Sequence, residues 1–264
     1  MATAIATFCL LIAGALVTST DSGLAVPDWP LSYGMWFPPL VGGILYEHGH
    51  RMIAAAVGLM ILGLAVWLGF VERRRWVRYL GYSALGAVVL QGLLGGMTVL
   101  FLLPPQVSIA HATLGPAVFC LVVCLAQVTA PSWTAQPTRD EEVRWPSLRA
   151  LGLVLATLAA LQLVLGAVLR HTGGGLAWHL TGAACLLAAW GWLMQRIRQL
   201  QGVRHLLCAS VQRLGFLLVL QMVLGGLSWW YRAPVGVVTV HVGMGALVLA
   251  QAVLLVMVSE QAAS

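Results

Sequence analysis

The chain has no lysine, few charged residues of either sign, and no cysteine outside its apolar stretches, and each scarcity narrows what it can be. Only 8% of its 264 residues are charged, while 60% are hydrophobic. With a mean hydropathy of +0.92, that balance excludes an ordinary soluble domain and points to an integral membrane protein. Arginine alone supplies the basic charge. Eleven arginines follow or flank the cytoplasmic ends expected for the helices: Arg73, Arg74, Arg75, Arg78, Arg139, Arg144, Arg149, Arg196, Arg198, Arg204 and Arg213. Three, Arg51, Arg170 and Arg232, fall on the opposite side. The positive-inside rule therefore predicts cytoplasmic termini, and the net charge of +6 reads as topology rather than as a nucleic-acid surface. Cys9, Cys120, Cys124, Cys185 and Cys208 all lie in apolar stretches, which argues for packing and against a disulfide framework.

Apolar stretches of about 20 residues, the length that crosses ~30 Å of hydrocarbon, occur at 3–20, 44–70, 79–102, 108–130, 150–170, 177–195, 206–230 and 235–258. The first has no basic segment before it, so a retained span is expected rather than a cleaved signal. The expected fold is an all-α membrane protein with eight transmembrane helices arranged as two parallel four-helix repeats. Residues 1–130 form the first repeat, 131–149 a cytoplasmic linker and 150–264 the second repeat. The outer segment 21–43, rich in proline and aromatic residues, is predicted to be a compact interfacial lid.

The duplication is visible in spacing. Gln91, Gly95, Gly96 and His111 recur 130 positions later as Gln221, Gly225, Gly226 and His241. Gly14 matches Gly166, and Ser22-Gly23-Leu24-Ala25 matches Gly174-Gly175-Leu176-Ala177, at an offset of 152; His50 and His179 are 129 apart. The first half thus holds about 23 residues that the second lacks, between Ala25 and His50. His50, His111, His179 and His241 fall on the even-numbered helices, each about 25–35 Å from the cytoplasmic boundary at ~1.5 Å per residue. Four ionisable groups at one depth are costly in a membrane unless they serve a site. A neutral imidazole offers one lone pair to a metal, and haem iron accepts axial imidazoles between packed helices. Two histidines per half suit one haem iron per half. Zinc or copper would favour clustered histidine with cysteine, methionine or carboxylate. His48, His171 and His205 fall outside the pattern, His171 in an outer glycine-rich loop.

The halves differ. Glu47 lies three residues before His50 and shares its helix face, whereas the second repeat has Leu176 there; Arg51 corresponds to Leu180. The half that combines histidines with an acid and a base looks like the chemical site, and the other like a permanent cofactor site. A plain Glu47–Arg51 ion pair is the alternative. Arg51, Arg170 and Arg232, the outer basic residues, are candidates for haem propionates.

These residues resemble the haem A synthase family. The resemblance rests on Ser22-Gly23-Leu24-Ala25, Pro27-Asp28-Trp29-Pro30-Leu31 with Gly34, Glu47-x-x-His50-Arg51, Gln91 to Gly96 with His111, Arg170-His171-Thr172-Gly173, His179 and His241. It covers nearly the whole chain. It implies oxidation of the ring-D methyl of haem O to the formyl group of haem A. His179 and His241 would ligate a resident haem B, His50 and His111 would receive the substrate haem, and catalytic Glu47 would stand near the reacting methyl. It also implies a prokaryotic-type plasma membrane, haem sites near the outer face, and a haem O synthase and terminal oxidase assembly factors as neighbours. Many bacterial members carry a cysteine on each side of the Trp-Pro-Leu segment. Here Val26 and Ser32 stand in those places, so a mechanism needing that thiol pair does not apply. The rival readings are a bis-histidine electron carrier and a haem transporter or chaperone. A carrier would stack ligands at two depths, a transporter would favour inverted repeats, and neither explains an acid beside one ligand pair.

Overall fold

The computed structural model describes residues 1–134, 146–199 and 205–263, together with the backbone but not the side chains of a few residues at element ends. Residues 135–145 of the expected linker, with Arg139 and Arg144, and also Arg204, lie outside the described residues. Among the described residues, eight helices long and apolar enough to cross a membrane follow one another: α1 (Ala2–Ser19), α2 (Gly43–Val71), α3 (Arg75–Leu100), α4 (Pro105–Val128), α5 (Leu148–Thr172), α6 (Leu176–Arg198), α7 (His205–Trp230) and α8 (Val235–Ala263). A 3₁₀ turn over Pro131–Thr134 follows α4. Among the described residues there is no strand, and the protein is an all-helical multi-pass membrane protein. Long apolar side chains such as Leu59, Trp67, Phe70 and Phe216 stay exposed, as faces solvated by acyl chains require.

The helix ends follow local chemistry. Ser147 caps α5 by accepting from the Ala150 N–H at 3.1 Å, and Gly173 closes the same helix at φ 71°, a conformation that costs glycine nothing. Pro105 occupies the first turn of α4, where its missing N–H is not needed. The expected helix boundaries hold to within a few residues, with one difference of substance. Helix α5 runs through His171 to Thr172, so His171 belongs to a helical last turn rather than to a loop.

Contacts divide the chain into two compact units, residues 1–129 with 227–243 and residues 130–226 with 244–264. In the first, α1 packs on α2, α2 on α3, α3 on α4, and α4 back on α1. In the second, α5 packs on α6, and Trp190 of α6 donates to the Val211 carbonyl of α7 at 2.9 Å. Gln251 of α8 reaches Ser210 of α7 at 2.7 Å, and Val256 of α8 closes on Gly152 of α5.

The α3–α4 and α7–α8 connections share one backbone shape. Leu102 and Leu103 have φ 58° and 59°, and Arg232 and Ala233, 130 positions later, have φ 56° and 58°. In one connection Leu103 N donates to Thr98 O at 2.7 Å; in the other Ala233 N donates to Ser228 O at 2.6 Å. A proline, Pro104 or Pro234, then starts the next helix. The α1–α2 and α5–α6 connections begin alike and then diverge. Asp21 at φ 52° and Gly173 at φ 71° each turn the chain, but α6 starts three residues after its turn, whereas α2 waits until Gly43.

Candidate functional site

Each of three helix pairs builds the same pocket for an imidazole. On α2, His50 packs so closely over Gly14 of α1 that a methyl on the glycine would stand 3.0 Å from His50 Cε1. His111 of α4 lies over Gly95 of α3 and His179 of α6 over Gly166 of α5, each with the corresponding distance 3.1 Å. Four residues before each glycine, one turn earlier on its helix, comes Leu10, Gln91 or Gln162. The Gln91 carbonyl faces His111 Nδ1 at 3.2 Å, and the backbone of Gln162 faces His179 in the same sense. A carbonyl can only accept, so an Nδ1–H aimed at it leaves the Nε2 lone pair for a metal. The glutamine amides add a second tie. Gln91 Nε2 donates to the His111 carbonyl at 2.8 Å, and Gln162 Nε2 donates to the His179 carbonyl at 2.9 Å.

His50 and His111 are near enough for their charges to interact. They lie on the eighth and seventh residues of α2 and α4. His179 is the fourth residue of α6 and His241 the seventh of α8, both early in their helices, and His241 is half-buried. Arg170 and Arg232 are exposed, one in the last turn of α5 and the other in the α7–α8 connection.

The first turns of α2 hold the outer loop through a polar latch. Glu47, 3% exposed, accepts from the Val26 N–H at 2.8 Å with one carboxylate oxygen and from Arg51 with the other. Arg51 also donates to the carbonyls of Asp28 and Leu31, both at 2.7 Å, so the ion pair is one part of a larger clamp. His48 faces away from His50 and pairs its Nδ1 with the fully buried Ser32 Oγ at 2.7 Å. Its Nε2 is buried without a hydrogen-bond partner. Within the loop, the Asp28 carboxylate accepts from Tyr33 N at 2.6 Å and Gly34 N at 2.8 Å, and the Tyr33 hydroxyl donates to the Ala25 carbonyl. These N–H donors, Gly34 foremost, hold the Asp28 pKa below its usual 3.8. The Trp29 ring lies on Gly96, the neighbour of the His111 glycine, with its nearest ring atom 2.8 Å from where a methyl would sit.

Sequence reasoning named the histidines, Glu47 and Arg51, and missed Val26, Ser32, His48 and Gln162 as parts of these arrangements. A signal for the last was present, since Gln-x₃-Gly occurs at 91–95, 162–166 and 221–225. The loop contacts carried no such signal, because Val26 contributes only its backbone.

At the opposite end of α2, Glu72 is bound by Arg74, whose guanidinium donates at 2.8 and 3.0 Å and pulls the carboxyl down to about 2.

Residues 43–180 match the family described as cytochrome oxidase assembly protein, COX15-CtaA. Among curated relatives, a Heme A synthase of Geobacillus kaustophilus is 29% identical over 200 residues, which span 70% of this chain and 60% of that protein. A Heme A synthase of Bacillus licheniformis is 29% identical over 66% of this chain and 58% of its own length. One from Symbiobacterium thermophilum is 32% identical over 62% of this chain and 55% of its own. The aligned stretch therefore spans less than two thirds of each of these relatives. The family match extends over more than half of the 264 residues, from the start of α2 through His179, and the chain belongs to the cytochrome oxidase assembly protein family.

Proposed function

We propose that the protein is a haem A synthase, converting the ring-D methyl of haem O into a formyl group. The observation that carries this reading is the recurring imidazole pocket, glycine beneath the ring and a backbone carbonyl at Nδ1, beside a buried carboxylate found in one half only. The donor set fits haem iron, because an Nδ1–H directed at a carbonyl fixes the ring and raises the basicity of Nε2. His50 and His111 hold the substrate haem. His179 and His241 hold a resident haem B, which when bound supplies electron transfer.

The residues do the rest by placement. With water as the oxygen source, methyl to formyl releases four protons and four electrons, the electrons passing to an acceptor outside the chain, and positive charge develops at the reacting carbon. Glu47 is oriented by Val26 N–H and Arg51 and sits one turn before His50, where a fixed carboxylate stabilises that charge. The latched loop covers this end of α2 and limits water. Arg51 orients Glu47 and the loop, while Arg170 and Arg232, both exposed, are the candidate propionate contacts. The duplicated connections at 102–103 and 232–233 support two parallel four-helix repeats, with residues 131–149 joining them. The arginine distribution supports cytoplasmic termini and haem sites near the outer face of a plasma membrane. A haem O synthase and terminal oxidase assembly factors are the natural neighbours for supply and delivery.

The test is expression in a host that makes haem O but no haem A, followed by haem extraction from the purified protein and its membranes. Haem A beside haem B is expected. Haem B alone, with haem O left unconverted, would identify an electron carrier instead.

A further inference from the structure

We infer that Leu10 makes His50 the exchangeable ligand of the set, so that the substrate haem can leave after each turnover while better anchored histidines stay bound. The inference rests on the haem-ligand reading above and adds a positioning residue that does not touch iron. Leu10 holds the place on α1 that Gln91 and Gln162 hold on α3 and α5, four residues before the pocket glycine. Both glutamines donate to the main-chain carbonyl of their histidine. Leucine can donate nothing. His50 Nδ1 is buried and turned toward the Leu10 carbonyl without closing a full hydrogen bond.

A second observation shows that the glutamines were not retained for packing. Gln91 and Gln162 each leave Oε1 buried without a hydrogen-bond partner, a cost that an apolar side chain of similar size would avoid. Paying it at two matched pockets, and avoiding it at the third, separates two kinds of histidine. His111 closes an Nδ1–H bond to the Gln91 carbonyl at 3.2 Å where His50 closes none, and outer-shell bonds of that kind change metal affinity by about 10–100-fold. The His50 bond to iron is therefore the weakest-held of the three described pockets. It belongs to the pair that must admit and release a haem, which gives the difference a use.

The experiment loads the purified full chain with haem B as the probe and follows its loss to a haem-scavenging protein by absorbance. Two phases are expected, a fast one from the His50–His111 site and a slow one from the resident site. Leu10→Gln adds one neutral hydrogen bond to the turn that carries His50 and should slow the fast phase by about 2–10-fold, leaving the slow phase in place. Gln91→Leu should speed the fast phase and raise its high-spin signal, which serves if a glutamine on α1 impairs assembly. Leu10→Met is the apolar control and should match the parent. A fast phase unchanged in both Leu10→Gln and Gln91→Leu would overturn the inference. Should His50→Ala and His111→Ala also leave both phases and the spectrum unchanged, the haem-ligand reading itself fails, a separate result from failure of the Leu10 role.

Discussion

Helix pairs α1–α2 and α5–α6 start from one plan and end with different equipment. Both set an imidazole so close on a glycine that an added methyl would stand 3.0 to 3.1 Å from its Cε1, His50 on Gly14 and His179 on Gly166, and both turn out of the first helix through a residue at positive φ. Beyond that, α5–α6 uses a short glycine turn and ties its histidine with Gln162. The α1–α2 pair replaces that glutamine with Leu10, lengthens its connection, and adds Glu47, His48 and Arg51 to strap the added loop down. The chain thus keeps the imidazole pocket constant and changes what surrounds it. One pair is built to hold its histidine still, and the other to place a carboxylate and a cover beside it.

Removing the carboxylate charge should break this comparison most severely. Glu47→Gln keeps the side chain's size, yet it presents an amide where two N–H donors now point, and it removes the negative charge. Loss of one electrostatic contributor costs about 100–1,000-fold in rate. Haem O should accumulate with little haem A, while haem B at His179 and His241 stays at full occupancy by pyridine haemochrome assay. Parental haem A production with haem B intact would make Glu47 a structural partner of Arg51 alone.

Loosening the strap comes next. Arg51→Leu removes donors to Glu47 and to the carbonyls of Asp28 and Leu31, and charge-assisted hydrogen bonds contribute roughly 1.5–3 kcal/mol each. Local opening should rise by at least about tenfold, read as faster amide hydrogen exchange across residues 25–35 with the α5–α6 turn unaffected. Exchange equal to the parent would mean that Trp29 on Gly96 and the Ser32–His48 bond hold the loop without Arg51.

The two pockets can be compared directly with a methyl group. In Gly166→Ala the new carbon stands 3.1 Å from His179 Cε1, in a turn whose carbonyl Gln162 holds at 2.9 Å; crowding of this kind costs roughly 1–3 kcal/mol. Gly14→Ala meets His50 at 3.0 Å, but that ring has no side-chain tie to lose. Thermal unfolding should show the larger loss for Gly166→Ala, and equal losses would contradict the idea that His50 is held less firmly.

How much of this was legible beforehand follows from the range of each interaction. Eight spans could be read because burial in hydrocarbon acts on long runs, so hydropathy alone places α1 to α8 within a few residues. The recurrence of Gln, Gly and His at fixed spacing exposed the pockets' parts. It did not expose Leu10, since leucine on an apolar helix carries no chemical signal until its neighbour across the interface is known. The latch was hidden for a related reason: it joins residues 20 to 23 apart through backbone atoms of Val26, Asp28 and Leu31. His171 was misplaced because three following glycines resemble a loop, whereas only Gly173 is needed to end the helix.

The smallest expected effect is a pH dependence confined to the added loop. Asp28 accepts two backbone N–H bonds, and these hold its pKa below 3.8 when the loop is in place. A depressed carboxylate favours the ordered loop above its unfolded pKa, and that preference fades as pH falls through the lower, folded value. Loop order should therefore be flat from pH 7 to about 4 and decline only under stronger acid. Asp28 is half-buried and reached by solvent, so water screens the gain and the change should be slight beside that of Arg51→Leu. Hydrogen exchange at Tyr33 and Gly34, corrected for intrinsic rates, reads it out. Asp28→Asn should weaken protection modestly at neutral pH and abolish the acid dependence. The α5–α6 turn has no carboxylate and should show neither effect. An acid-induced loss of equal size in Asp28→Asn would transfer the dependence to another group in the latch and remove Asp28 as its source.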